Sequence, residues 1–208
     1  MNDLHPDPSP APAQPVILAS TSEVRRKLLS AAGVAYEAMS PGVDEDAAKA
    51  RLAGATPRRI AESLADEKAL AISSRYPDAL VVGADQTLDL DGVLFDKVAT
   101  HGAAKVRLLQ LRGRRHVLHA ALSVARGGEV IWRQTDSPVL TMRDFSESFL
   151  DAWLARQGES ILGSVGCYRL EDEGVQLFET IEGDYFAILG LPLTGLLALL
   201  RREGALAQ

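Results

Sequence analysis

A carboxylate at the mouth of a buried strand is the first place to look for chemistry in this sequence. Ala79-Leu-Val-Val-Gly-Ala-Asp85-Gln86 runs apolar and then delivers an aspartate. Burying that charge is costly unless a cation, a metal or hydrogen-bond donors meet it. Asp85 is therefore the leading candidate for acid–base or metal chemistry. On this stretch alone that reading stays level with an aspartate that only bonds local backbone amides at a strand end. A second candidate is Ser20-Thr-Ser22-Glu23-Val24-Arg25-Arg26, at a strand-to-helix junction. Free amides at a helix N-terminus favour anions, hydroxyls add donors, and a guanidinium one turn in can grip phosphate in bidentate fashion. Ser20-x-x-Glu23 also fits a capping box, and by itself capping is the better reading.

Other groups are weaker alone. Asp89-Leu-Asp91-Gly92-Val-Leu-Phe-Asp96 looks like the nucleophile motif of haloacid-dehalogenase-type phosphatases. The later acidic pair that such enzymes need is missing, because Gly183-Asp184 is followed by Tyr-Phe-Ala-Ile. Asp91-Gly92 reads better as a hairpin turn. Asp44 and Glu45, in what reads as a polar loop, offer oxygen ligands for a hard cation. Lys68 lies on a helix whose opposite face is apolar, which reads as surface. His116 and His119 fall on opposite faces of a strand, which argues against a shared metal. Cys167 has no activating neighbour in sequence and reads as a small core residue.

The totals narrow the class. A chain of 208 residues supports one sizeable core or two small lobes sharing a cleft. Its net charge of −6 argues against a general nucleic-acid binder but leaves room for a local basic pocket. The single cysteine excludes a disulfide framework, no apolar run reaches transmembrane length, and residues 1–14 are proline-rich without the features of a signal peptide. A cytoplasmic protein with a disordered tail at 1–14 and one domain over 15–208 is the expectation.

Hydrophobic spacing and turn residues then supply the elements that must position these groups. Strands are expected at 15–19, 34–39, 79–82, a short return strand between the Asp91-Gly92 turn and Lys97, 115–125, 130–142 with a break near Pro138, and 175–181. Helices are expected at 20–33, 58–75, 102–112, 146–156 and 193–202. The pattern is mixed α/β.

Taken in order, Leu18-Ala-Ser-Thr-Ser-x-x-Arg25-Arg-x-Leu-Leu, Val43-Asp-Glu45, Leu64-Ala-x-x-Lys68-Ala, Val82-Gly-Ala-Asp85-Gln, Lys97, Leu111-Arg-Gly-Arg-x-His116 and Ile181-Glu-Gly-Asp-Tyr…Gly190-Leu-Pro192-Leu resemble the Maf family. The resemblance covers the body after the tail. It implies an elongated mixed sheet flanked by helices, in two lobes around a nucleotide cleft. It also implies hydrolysis of a nucleoside triphosphate to monophosphate and pyrophosphate with a divalent cation, Mg or Mn, clearing modified nucleotides. On that basis Ser20, Ser22, Arg25, Lys68 and Lys97 would hold phosphates, and Glu45 and Asp85 the metal. Asp85 would be the proton acceptor. Val24, Gln86 and Glu171 fall where the family sets substrate choice, and Glu171 is similar to the glutamate of a 7-methyl-GTP branch. A homodimer is left open, with no nucleic acid and no membrane as partner. The same resemblance admits a nucleotide-binding regulator of cell division without activity. Four places depart from the family pattern: Glu23 where proline is usual, Asp96-Lys97-Val98 for Gly-Lys-Pro, Ala120-Ala121 for Thr-Gly, and Val165-Gly166 for Ala-Gly.

Overall fold

The computed structural model describes residues 14–207, so the tail expected at 1–14 lies, apart from Gln14, outside them. In chain order the described residues form β1 (Val16–Ala19), α1 (Glu23–Ala31), β2 (Glu37–Met39), α2 (Glu45–Arg51), α3 (Pro57–Ser73), β3 (Leu80–Leu90) and β4 (Val93–Phe95). They continue with α4 (His101–Leu111), β5 (Arg115–Arg126), β6 (Glu129–Asp136), β7 (Val139–Met142), α5 (Glu147–Leu154), β8 (Phe178–Glu182), α6 (Tyr185–Ile188) and α7 (Leu193–Arg202).

The strands build one mixed sheet. β1 is parallel to β2 and β3, and the other pairings are antiparallel. Its spine is the pair β3 and β5, in register from Val81–Ala125 to Asp89–Val117. Different neighbours flank the two ends of this pair. β1 covers β3 only as far as Gly83, and β4 picks it up again at Leu88. Across the sheet, β6 lies on β5 from Ala120 onward while β7 takes Arg115–Val117. The edge of β3 between Gly83 and Leu88 thus has no strand beside it, and Asp85 and Gln86 fall in that gap.

Each end has its own core, which makes the two lobes. Leu18, Leu29, Val82, Val124 and Leu196 join α1 and α7 to one end, and Leu88, Leu108, Leu140, Trp153 and Phe178 join α4 and α5 to the other. The elongated mixed sheet in two lobes is as expected. On the face opposite α1 and α7, α3 presents Ala61, Ala65 and Ala69 to the spine. Gly83 lets it approach: a Cβ there would lie 2.3 Å from the Ala65 carbonyl oxygen and 2.6 Å from the Ala69 nitrogen. Both are backbone atoms that cannot yield, so Gly83→Ala is expected to destabilise the protein by about 2–3 kcal/mol, read as a lower urea midpoint.

Several local readings need correction. The stretch read as a polar loop is helix α2, with Asp44 as its N-cap accepting from the Ala47 amide at 3.0 Å. It buries only Ala48, so no apolar stripe announces it. Helix α1 starts at Glu23 rather than at Ser20, with Ser22 as the cap, so the capping box does not form. The strand read at 175–181 is in part a 3-10 turn, Glu173–Leu177, before β8. Asp91 and Gly92 make the hairpin, with φ of +54° and +83°. Asp89 belongs to that turn: its Oδ1 accepts from the Gly92 amide at 2.7 Å, and its Oδ2 lies 3.2 Å from His119 Nε2.

The two histidines on β5 take different partners, in line with their opposite faces. His119 meets Ser137 and Asp89, whereas His116 Nε2 lies 2.8 Å from the buried Tyr168 hydroxyl. Burial lowers the His116 pKa from 6.5 to about 4. The unfolded chain binds a proton below 6.5 that the folded protein refuses until about 4, so stability falls as pH drops through that window. About 3 kcal/mol is expected to be lost there. Urea titrations across that window should show the slope in the wild type and not in His116→Gln.

Candidate functional site

The gap in the β3 edge opens into a cavity of about 710 Å³ between the lobes. Its walls are the Ser20–Arg25 junction, Glu45 and Lys49 of α2, Lys68 of α3, Asp85–Thr87 of β3, Phe95 at the end of β4 with Asp96 and Lys97 beyond it, and parts of the 160–171 segment. All ten positions to which the family resemblance gives a role line it: Ser20, Ser22, Val24, Arg25, Glu45, Lys68, Asp85, Gln86, Lys97 and Glu171. Asp89 and Asp91, the phosphatase-like pair, do not.

Lys68 is the hub, and its reading as surface is wrong. It is only 6% exposed, with Nζ 2.6 Å from Asp85 Oδ1 and 2.7 Å from Glu45 Oε1. Strand alternation explains the meeting: Gly83 and Asp85 share the face of β3 on which α3 lies. At 7% exposure, burial raises the Asp85 pKa above the ordinary aspartate value, although Lys68 and Arg25 pull it down. Burial also works against the charge of Glu45, but there the bond to Lys68 and the charges of Lys68, Lys97 and Lys49 win and lower its pKa. The cluster therefore pairs a carboxylate whose proton affinity is raised with one whose proton affinity is lowered.

The donor set suits a hard divalent cation. Two carboxylate oxygens already converge on one cationic atom, the Lys68 nitrogen. No cluster of three or more acidic, histidine or cysteine ligands occurs among the described residues. Glu45 and Asp85 would thus hold a metal together with water and substrate oxygens, which is how Mg is commonly bound.

Arg25 braces the junction. Its Nε donates to the Gly190 carbonyl at 2.8 Å and its Nη1 to the Ala84 carbonyl at 2.9 Å, with the Ser20 hydroxyl 3.4 Å away. The Ala84 carbonyl lies in the strand gap, so Arg25 satisfies a group that a neighbouring strand would otherwise pair. Burial lowers its pKa, against the pull of Asp85 and Glu45. With three donors committed, only Nη2 remains for a ligand, and the bidentate fork expected from sequence is narrowed to one nitrogen. Gln86 projects to the other face of β3. Its Nε2 donates to the Ala187 and Ile188 carbonyls, both at 3.0 Å, which leaves Oε1 as a pure acceptor. Glu171 accepts from Arg169 Nε and Nη2, each 3.0 Å from Oε1.

Two of the family departures acquire partners. Glu23 is exposed and pairs with Lys27 at 2.8 Å, so its charge is not left bare beside the junction. Asp96 pairs with Lys49. Lys49 and Arg169 were not singled out in the sequence. The Glu45-x-x-x-Lys49 spacing was the available signal, but it speaks only once α2 is known to be a helix.

A two-lobed α/β protein with lysines, an arginine and serine hydroxyls gathered around the buried Asp85 and the half-exposed Glu45 has, by class, the site of an anion-binding protein. The family model for Maf-like protein matches residues 15–203, and the chain belongs to the Maf family. A protein of Caulobacter vibrioides named nucleoside triphosphate pyrophosphatase is 58% identical over 194 residues, 92% of this chain and 97% of the relative. One of the same name from Granulibacter bethesdensis is 50% identical over 193 residues, covering 92% and 98%. A Rhizobium meliloti protein named 7-methyl-GTP pyrophosphatase is 46% identical over 193 residues, covering 92% and 97%. Among the described residues no helix is long and apolar enough to cross a membrane.

Proposed function

We propose that this chain hydrolyses a nucleoside triphosphate to the monophosphate and pyrophosphate, with water attacking the α-phosphorus. The observation that carries the reading is the buried Asp85–Lys68 pair with the half-exposed Glu45 on the same Lys68 nitrogen, at the strand gap and inside a cavity of nucleotide size. Asp85 orients the attacking water and accepts its proton, a role favoured by its raised proton affinity. Lys68, Lys97, Arg25 Nη2 and the hydroxyls of Ser20 and Ser22 hold the phosphates and offset charge on the leaving pyrophosphate. Glu45 and Asp85 would hold Mg or Mn, which when bound would supply Lewis-acid polarisation of a phosphoryl oxygen.

Base choice falls to Val24, Gln86 and Glu171. Gln86 Oε1 and the free oxygen of Glu171 are acceptors, so a purine that offers N–H donors, such as 7-methyl-GTP, suits them better than an acceptor-rich edge. Clearing modified nucleotides in the cytoplasm is the corresponding role. A panel of canonical and methylated triphosphates, assayed for pyrophosphate with Mg or Mn, tests this. Pyrophosphate release with 7-methyl-GTP among the best kcat/KM values is expected. Orthophosphate alone, or binding without product, contradicts it.

A further inference from the structure

One ion pair in the cavity has no part in the mechanism above. Lys49 of α2 is bonded to Asp96, just beyond β4, and both line the cavity. Four residues after Glu45, Lys49 shares its helix face. Lys68 holds the other side of Glu45. The cleft is therefore crossed by an alternating file of charge: Asp85, Lys68, Glu45, Lys49, Asp96. Lys97, next to Asp96, has no ion-pair partner among the described residues. The Lys49 side chain is 22% exposed and that of Asp96 53%. Burial works against the charge on Lys49, yet Asp96, Glu45 and Asp85 hold its pKa above the ordinary lysine value. The ammonium is thus kept charged inside the cleft by a half-exposed carboxylate. Such a pair is weak and screened, and the long lysine stem lets the nitrogen change partners.

Resting on the pyrophosphatase reading, we propose that Lys49 is a further phosphate-binding residue and Asp96 its stand-in anion. The distal end of a triphosphate takes Lys49 from Asp96, so Asp96 competes with substrate and the pair selects for phosphate-chain length. A shorter chain held at the Lys68 end does not reach Lys49 and gains nothing from it.

Calorimetric titration with inorganic tripolyphosphate and with pyrophosphate, alongside steady-state kinetics, tests this. Lys49→Met should weaken tripolyphosphate binding by about tenfold, and pyrophosphate binding by less than about threefold. In turnover the loss should fall on KM rather than kcat, and Lys49→Arg should restore most of it. Asp96→Asn should tighten tripolyphosphate by about threefold in the wild-type background and not in the Lys49→Met background. Unchanged tripolyphosphate affinity in Lys49→Met, an equal loss for both anions, or an equal gain from Asp96→Asn in both backgrounds would overturn the proposal. A wild type that binds both anions in the expected pattern but releases no pyrophosphate would remove the hydrolytic reading and leave the role of this pair standing.

Discussion

Asp85→Asn is expected to lower kcat by about a thousandfold or more while the protein unfolds at or above the wild-type temperature. The asparagine keeps the shape of the side chain but cannot take a proton from water. The stability half of the result follows from linkage. Folding raises the proton affinity of Asp85 above that of an ordinary aspartate, with burial as the main cause. As pH rises from the ordinary value through the raised one, the folded state holds the proton longer than the unfolded chain, so ionising Asp85 costs stability. A neutral side chain escapes that cost, and Lys68 keeps Glu45 as its partner. Pyrophosphate release and thermal unfolding, measured on the same preparation, check both halves. Turnover near wild type would remove Asp85 from the chemistry.

Lys68→Met should harm stability as well as activity. Without the ammonium, the buried Asp85 faces the half-exposed Glu45 with no cation between them, and breaking the buried Lys68–Asp85 pair from one side costs about 3–5 kcal/mol. Each carboxylate then holds its proton more tightly in the folded state than in the unfolded chain. The variant should therefore regain stability as pH falls through the carboxylate range, the opposite of the His116 slope. Mg or Mn should raise its melting temperature more than that of the wild type, because the cation replaces the missing charge between Glu45 and Asp85. Activity should stay at least about a hundredfold down, since the phosphate contact is gone. A Lys68→Met protein as stable as wild type at neutral pH would mean that the cluster is not under electrostatic strain. Rescue by acid but not by metal would remove the metal reading.

Local signals were legible where the chain reports on itself. The apolar run before Asp85 became the spine strand, Asp91-Gly92 became a left-handed hairpin, and the helix expected at 58–75 is α3, Pro57–Ser73. What could not be read depends on partners distant in sequence. Helical periodicity gave α3 an apolar face, but not that its polar position 68 lies over a strand carrying Asp85. Arg25 turns inward because the strand gap leaves the Ala84 carbonyl unpaired, and nothing near Arg25 encodes that gap. Helix α2 was missed because Ala48 alone is buried along it, and with it went Lys49. The site residues themselves came from the collinear resemblance; single motifs pointed elsewhere, most visibly Asp89-Leu-Asp91-Gly92, which lies outside the cavity.

The position of attack is the central claim, and isotope placement reads it directly. Turnover of a nucleoside triphosphate in heavy-oxygen water with Mg or Mn, followed by mass spectrometry of both products, reports which phosphorus the water reached. Heavy oxygen in the monophosphate with unlabelled pyrophosphate is the expected result. Label in the pyrophosphate, or formation of orthophosphate and nucleoside diphosphate, would contradict attack at the α-phosphorus.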